Sequence, residues 1–265
     1  MADTPLLTNN VREMLKRGEV VASVTVRLTR TIEIALMAKT AGFDTIYVDM
    51  EHNSFSIAEC GQICMAATAI GIAPFVRVPS NTPDWISRVL DAGAMGVIAP
   101  HIGSAAEARA VVSAAKFPPL GGRSAAGALP HMQYRSLPPA QANPTMNDAT
   151  MVIVQFENAA SVEAAEEIMA VEGVDMVLIG SNDLLADMGL TGQYDHPKLR
   201  AAYQRSIEVC NKLGKYVGVG GLSSRADLVA EFVKMGARYV STGTDTQFLL
   251  GALTAKARQV KDLKG

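Results

Sequence analysis

One rhythm constrains this chain more than any other feature: a short apolar run followed by a helix-type stretch, repeated eight times with little sequence between. The runs are residues 21–26, 44–49, 74–78, 95–99, 151–156, 175–179, 216–219 and 238–241. They are rich in aliphatic residues, and successive positions rather than alternate ones are apolar, which is how a strand buried on both faces reads. Parallel strands need a long crossover between them, and the helical stretches supply it. Eight such units close into a barrel or lie open as a doubly wound sheet. An open sheet would carry a glycine-rich nucleotide loop after an early strand. Here that turn reads Arg27-Leu28-Thr29-Arg30. The pattern therefore predicts an α/β chain folded as one (β/α)8 TIM barrel over residues 1–265, with no linker or second domain.

Local signals mark the helices. A helical pattern spans residues 31–42, and Ser56 with Glu59 forms a capping box. Pro83 stands at a first helical position, Gly93 closes that helix, and Ser104 with Glu107 repeats the box. Residues 118–150 form a long connection with glycines, prolines, His131 and room for a short helix. Asn158 is a cap candidate, an insertion precedes a helix near Pro197, and the last helices start near Ser224 and Asp245.

Composition fits a large aliphatic core, with 49% hydrophobic residues but only 5% aromatics. The 24 basic and 26 acidic residues give a net charge of −2, without a basic stripe, so phosphate-driven nucleic-acid binding is not expected. Residues 1–10 lack a basic segment before an apolar one, and no run approaches the length of a membrane span. The expectation is a soluble cytoplasmic protein. Cys60, Cys64 and Cys210 form no disulfide framework. Cys60 and Cys64 could share a metal. They also fall on an apolar stripe with Ile57, Ile63 and Ala67, which favours buried thiols.

A barrel gathers its chemistry on the rim that follows the strands. Polar residues there contrast with the apolar strands: Asp49, Glu51 and His52, then Arg77, His101, Gln155, Glu157, Asn182 and Asp183. Glu157 and Asp183 follow neighbouring strands, about 4.8 Å apart. Two carboxylates there could grip a hard cation such as Mg²⁺ or Mn²⁺. They could equally complement a helix start and cap a turn. Asp49 could hold His52 in one tautomer as a general base, or His52 could be a loop histidine. Arg77 needs an anionic ligand or an ion pair with Asp49 or Glu51. The lysines fall in helices, at helix ends or on the opposite rim, so a lysine imine is not expected.

Taken together, five segments resemble the metal-dependent pyruvate aldolases of the HpcH/HpaI aldolase and citrate-lyase family. They are AGFDTIYVDMEH (41–52), FVRVPSN (75–81), LDAGAMGVIAP (90–100), VQFE (154–157) and EGVDMVLIGSNDLLADMG (172–189). The resemblance implies a barrel of the phosphoenolpyruvate/pyruvate type. Glu157 and Asp183 would be ligands of a divalent metal, Mg²⁺ or Mn²⁺, with Co²⁺ or Zn²⁺ as alternatives. Pyruvate would bind that metal through its carboxylate and keto oxygens. Arg77 would stabilise the enolate oxygen, and His52, oriented by Asp49, would handle protons at the aldehyde. Gln155, Ser181 and Asn182 would contact substrate, Leu222 would shape the aldehyde pocket, and Asp91 would serve a neighbouring subunit's site. A homo-oligomer, commonly a hexamer, is implied as well.

The implied reaction is reversible cleavage of a 4-hydroxy-2-oxoacid to pyruvate, or hydroxypyruvate, and an aldehyde. Departures concern the aldehyde. The chain reads Gly121-Gly122-Arg123-Ser124 where many relatives have Gly-x-Arg-Gly, and Arg27 and His101 are polar where some relatives are not. Arg27, Arg123 and His101 are candidates for contacting a polar or anionic aldehyde portion, with loop salt bridges as the rival reading. Other functions to separate are a citrate-lyase-type CoA-ester lyase, a macrophomate-synthase-like oxaloacetate decarboxylase and a non-catalytic metabolite-binding barrel.

Overall fold

In a computed structural model, which describes residues 7–263, the chain forms a closed barrel of eight parallel strands. They are β1 (Val21–Val26), β2 (Thr45–Asp49), β3 (Ala73–Arg77), β4 (Gly96–Ala99), β5 (Met151–Phe156), β6 (Met176–Gly180), β7 (Tyr216–Gly220) and β8 (Tyr239–Ser241). Their order in space is their order in sequence, and β8 closes on β1 through Val21 opposite Tyr239. The helices are α1 (Asn10–Lys16), α2 (Glu33–Ala41), α3 (Ile57–Ala69), α4 (Pro83–Asp91), α5 (Ala105–Ala115), α6 (Pro139–Ala149), α7 (Ala159–Glu163), α8 (Ala165–Met169), α9 (Ser181–Asp187), α10 (Pro197–Leu213), α11 (Ala226–Met235) and α12 (Asp245–Lys261).

The apolar runs divide by parity into two cores. Outward residues such as Val24, Val48, Val76, Val97, Val154 and Ile179 pack under the helices. Inward residues such as Tyr47, Phe75, Ile98, Ile153, Leu178 and Tyr239 fill the barrel. Both faces are therefore apolar, which is why the runs do not alternate. Several caps follow the sequence signals. Ser56 and Glu59 form the full capping box, the Asn158 side chain accepts from the Ser161 amide, and Thr244 with Gln247 boxes α12. Cys60, Cys64 and Cys210 are buried free thiols.

The pattern did not reveal α1, nor α9, which lies in the segment read as an insertion before Pro197. Helix α1 sends Val11 and Leu15 into the inner core, where they plug the end of the barrel opposite the strand C-termini. Asn9 caps it and ties it down, its side-chain amide donating to the Ala149 carbonyl at 2.8 Å. Within residues 118–150, where a short helix was expected, α6 runs eleven residues. Its Asn147 side chain accepts from the Phe117 amide at 2.7 Å and donates back to the Phe117 carbonyl at 2.9 Å. Among the described residues no helix is long and apolar enough to cross a membrane.

Candidate active site

Apart from Ser23 and Thr45, the strands' inward positions are apolar below their C-terminal ends, where several turn polar: Thr25 on β1, Asp49 on β2, Arg77 on β3, Gln155 on β5 and Ser241 on β8. Together they open a cavity of about 740 Å³, counting the part continuous with solvent, at the C-terminal mouth. Its lining includes Arg27, His52, Arg77, Gln155, Asn182 and Asp183. This is the rim on which barrels place their chemistry.

Register explains the tightest contact. Asp49 and Arg77 are direct partners across β2 and β3, so their side chains meet on the inner face. The Arg77 Nε donates to Asp49 Oδ1 at 3.0 Å and its Nη2 to Oδ2 at 2.7 Å, a planar fork on a planar carboxylate. Arg77 Nη1 also lies 2.8 Å from Glu51 Oε2, and its Cζ stands 5.6 Å from the Tyr47 ring centroid. Burial opposes charge on Asp49, yet the hydrogen bonds and charge of Arg77, with the charge of Arg27, outweigh it and hold the carboxyl below its usual range. Arg77 is 4% exposed but keeps its charge, since Asp49 and Glu51 outweigh the cost of burying it.

Asp49 also binds a second guanidinium, accepting from Arg27 Nε at 2.8 Å. To His52 it reaches only the backbone, accepting from the Glu51 amide at 3.1 Å and the His52 amide at 3.4 Å. The expected carboxylate-to-imidazole contact is thus corrected: Asp49 is taken up by two arginines, and the His52 ring approaches Glu51 Oε2 instead, at 3.7 Å. His52 lines the cavity with an exposed side chain.

Glu51 and Glu157 are linked through His101. The His101 Nε2 is 2.9 Å from Glu51 Oε1, and its Nδ1 is 3.0 Å from Glu157 Oε2. His101 adopts a φ of 56°, uncommon for a residue with a side chain, and its backbone amide donates to the same Glu157 oxygen at 3.0 Å. The other Glu157 oxygen accepts from Gln155 Nε2 at 2.7 Å. Burial, aided by the charge of Glu51, pushes the Glu157 carboxyl up against the lowering pull of the His101 amide.

These residues suit a divalent cation. A side chain at Gly180 would bring its Cβ within 2.9 Å of Glu157 Cγ and 3.1 Å of Gln155 Nε2, so the glycine makes room for this carboxylate over β6. Asp183, in the first turn of α9, lines the same cavity and has no hydrogen-bond partner among the described residues. Gln155 Oε1 is buried with no hydrogen-bond partner among the described residues. Among the described residues no cluster of three His, Cys, Asp or Glu side chains surrounds one point. Two carboxylates, with remaining positions open to water or substrate, match the usual way a hard cation such as Mg²⁺ is held.

Other expected site residues lie elsewhere. Ser181 is fully buried, its Oγ 2.9 Å from the Tyr203 hydroxyl behind the strands, so it does not face the mouth. Leu222 belongs to the outer core, and the turn presents Gly220, Gly221 and Ser223 to the cavity in its place. Asp91 accepts from Arg123 Nη2 at 2.6 Å within the same chain. Arg123 is buried over the Phe117 ring, which removes it from the mouth. His131 is buried with its Nε2 on the Ala94 carbonyl at 2.9 Å. Asn182 does line the cavity and accepts from the Tyr194 hydroxyl at 2.8 Å.

Sequence reasoning missed the hydroxyl-rich wall made by Thr25, Ser223, Ser241, Thr242 and Thr244. The available signal was Thr25 and Ser241, polar at inward positions near the ends of apolar strands.

The profile of the HpcH/HpaI aldolase/citrate lyase family matches residues 27–252. The chain is similar to the 4-hydroxy-4-methyl-2-oxoglutarate aldolase of Hapsidospora irregularis, 38% identical over 240 residues that make up 89% of each protein. It is also similar to the 2-keto-3-deoxy-L-rhamnonate aldolase of Escherichia coli, 30% identical over 260 residues, 98% of this chain and 96% of that one. In structure it is similar to the HpcH/HpaI aldolase from Desulfitobacterium hafniense, with a TM-score of 0.90, 28% identity and 98% coverage of both chains. A family profile spanning most of the barrel, and relatives that align along nearly all of it, establish that this chain belongs to the HpcH/HpaI aldolase/citrate lyase family.

Proposed function

We propose that the chain is a metal-dependent aldolase that cleaves a 4-hydroxy-2-oxoacid to pyruvate, or a close 2-oxoacid, and a carbonyl fragment. The observation that carries this reading is a buried, permanently charged Arg77, fixed by Asp49, in one cavity with His52, Gln155 and Asp183 and with Glu157 beside them. Glu157 and Asp183 would hold the divalent cation on which members of this family generally depend. When bound, that cation supplies positive charge beside an oxygen that becomes negative during cleavage.

The remaining work falls to side chains. Loss of the 4-hydroxyl proton lets the C3–C4 bond break, with its electrons forming an enolate across C2 and C3 and leaving a carbonyl at C4. His52, solvent-facing at the mouth, takes that proton and returns it in the condensation direction. Arg77 arrives already oriented, so little reorganisation is needed as charge develops on the enolate oxygen. Gln155 Oε1, lacking a donor, accepts a hydrogen bond from the substrate side of the cavity. Proton return to C3 releases the 2-oxoacid.

The protein works, on this reading, as one barrel domain in a homo-oligomer, and its buried free thiols suit a reducing cytoplasm. The deciding experiment measures pyruvate release from 4-hydroxy-2-oxoacids with added Mg²⁺ or Mn²⁺ and again after chelation. Turnover should vanish with chelator and return with metal. Glu157→Gln and Asp183→Asn should both be inactive at any practical metal concentration. Chelator-insensitive turnover would sink the proposal.

A further inference from the structure

His101 follows β4 by two residues, and its side chain is 64% exposed, so it adds little to the core. The turn that carries it is fixed on both sides. The Pro100 carbonyl accepts from Asn81 Nδ2 at 2.6 Å, the Ile102 side chain is fully buried, and the Gly103 amide donates to Glu107 Oε2 at 2.8 Å. Between these anchors the backbone of residue 101 is left-handed, with a φ of 56°. Glycine or asparagine meets that requirement at less cost than histidine, whose Cβ crowds the neighbouring carbonyl. The turn therefore accounts for the backbone and not for the imidazole.

What the imidazole does follows from its contacts. Its Nδ1 lies 3.0 Å from Glu157 Oε2, the same oxygen that accepts from the His101 amide at 3.0 Å. Its Nε2 lies 2.9 Å from Glu51 Oε1, and Glu51 is set in turn by Arg77, whose Nη1 is 2.8 Å from Oε2. Glu157 Oε1 accepts from Gln155 Nε2 at 2.7 Å. One oxygen of Glu157 is thus held from β5 and the other from the turn after β4, which fixes the plane of the carboxylate. Oε1, with a single donor, keeps acceptor capacity free. Neither His101 nor Glu51 is among the residues that line the mouth cavity, so the ring acts through Glu157 and not on substrate.

We infer that His101 is a positioning residue, holding Glu157 in the orientation in which that carboxylate binds the divalent cation, with Glu51 as the brace for the ring. This rests on the reading of Glu157 as a metal ligand. Groups that orient a ligand through hydrogen bonds change metal affinity by about 10–100-fold.

The test is calorimetric titration of Mn²⁺ into chelator-stripped protein with no substrate present. His101→Gly suits the left-handed backbone and keeps the amide while removing the ring. It should fold, and Mn²⁺ should bind about tenfold or more weakly. His101→Asn also tolerates that backbone and returns a side-chain N–H at about the distance of Nδ1, so it should recover most of the loss. Metal-free urea midpoints should differ little among the three proteins, because the ring is exposed.

Native or tighter Mn²⁺ affinity in His101→Gly overturns the inference; tighter binding would mean that the ring competes with the cation for Glu157. A loss that His101→Asn does not reduce, or one matched by a fall in the metal-free midpoint, overturns it as well. The reading beneath is checked by Glu157→Gln. If that variant binds Mn²⁺ as tightly as the native chain, or the native chain takes up none, Glu157 is not a ligand and the inference falls with it. If Glu157→Gln loses binding while both His101 variants keep it, only the positioning role is lost.

Discussion

Asp49 shows how a residue's type can be legible while its partner is not. A carboxylate at the end of an apolar strand was plain in the sequence, but what it holds depends on which residue the neighbouring strand sets beside it. Register gave it Arg77. Parity failed in the turns for a related reason. Beyond a strand the period of two no longer applies, so Ser181 and Leu222, each just past a strand end, point into packing rather than the mouth. Asp49→Asn should leave two guanidiniums sharing a neutral amide, lowering stability by about 3–5 kcal/mol and kcat/KM along with it. Because the folded-state carboxyl lies below its usual range, the stability it confers is present above the unfolded value and is lost as pH falls through the folded one. Denaturant midpoints should therefore depend less on pH at the acid end in the variant. His131 gives a second residue-scale prediction in a different window. Burial pushes its imidazole down to about 4. Between there and about 6.5 the unfolded chain binds a proton that the folded chain refuses, so stability falls as pH drops through that range, by about 3 kcal/mol in all. In His131→Gln that part of the decline should disappear from a pH series of urea melts. An unaltered slope would mean the imidazole is protonated in place.

At the scale of elements, the eight strands were readable because burial on both faces leaves a continuous apolar signal, and the barrel bears it out. Helix α1 escaped because a seven-residue segment with two buried side chains carries too little periodicity to register. Helix α6 falls where a short helix was expected, but its prolines read as breakers and left its bounds unread. Packing of Met146 against Phe117, Leu129 and Met132 stabilises the helix despite them, and Pro139 occupies the first turn, where a missing amide costs nothing. The contrast between the barrel's two ends makes a prediction about α1. Leu15 is 2% exposed in the plug, and Leu15→Ala should cost about 2–5 kcal/mol by leaving a cavity there. The functional rim lies at the far end of the strands, so kcat/KM of the folded fraction should hold while the thermal midpoint drops. Loss of turnover without loss of stability would contradict this division of labour.

For the molecule as a whole, α12 is the element that one copy does not explain. Asp245 is its only buried residue, and from Thr246 to the last described position every residue is exposed. Phe248, Leu249, Leu250 and Leu253 are 49–63% exposed, and Leu36 and Met37 on α2 are open as well. A helix of this length draws most of its stability from packing, and apolar surface of this extent on a chain otherwise well buried marks a contact between macromolecules. The prediction is that a second copy covers it, since each brings the same uncovered helix and an isologous interface pairs like with like. Leu250→Glu with Leu253→Glu removes the burial of two leucines, about 1.5–3 kcal/mol each, so association should weaken by roughly a hundredfold or more. Light scattering should show the native chain as an oligomer at micromolar concentration and the double variant at lower mass. A monomeric native chain ends the idea. The consequence reaches the site, because Asp245 begins this helix and fixes the backbone under Arg27. If assembly holds α12 in place, the dissociated variant should also lose part of its kcat/KM for metal-dependent cleavage, although neither substituted leucine lines the cavity.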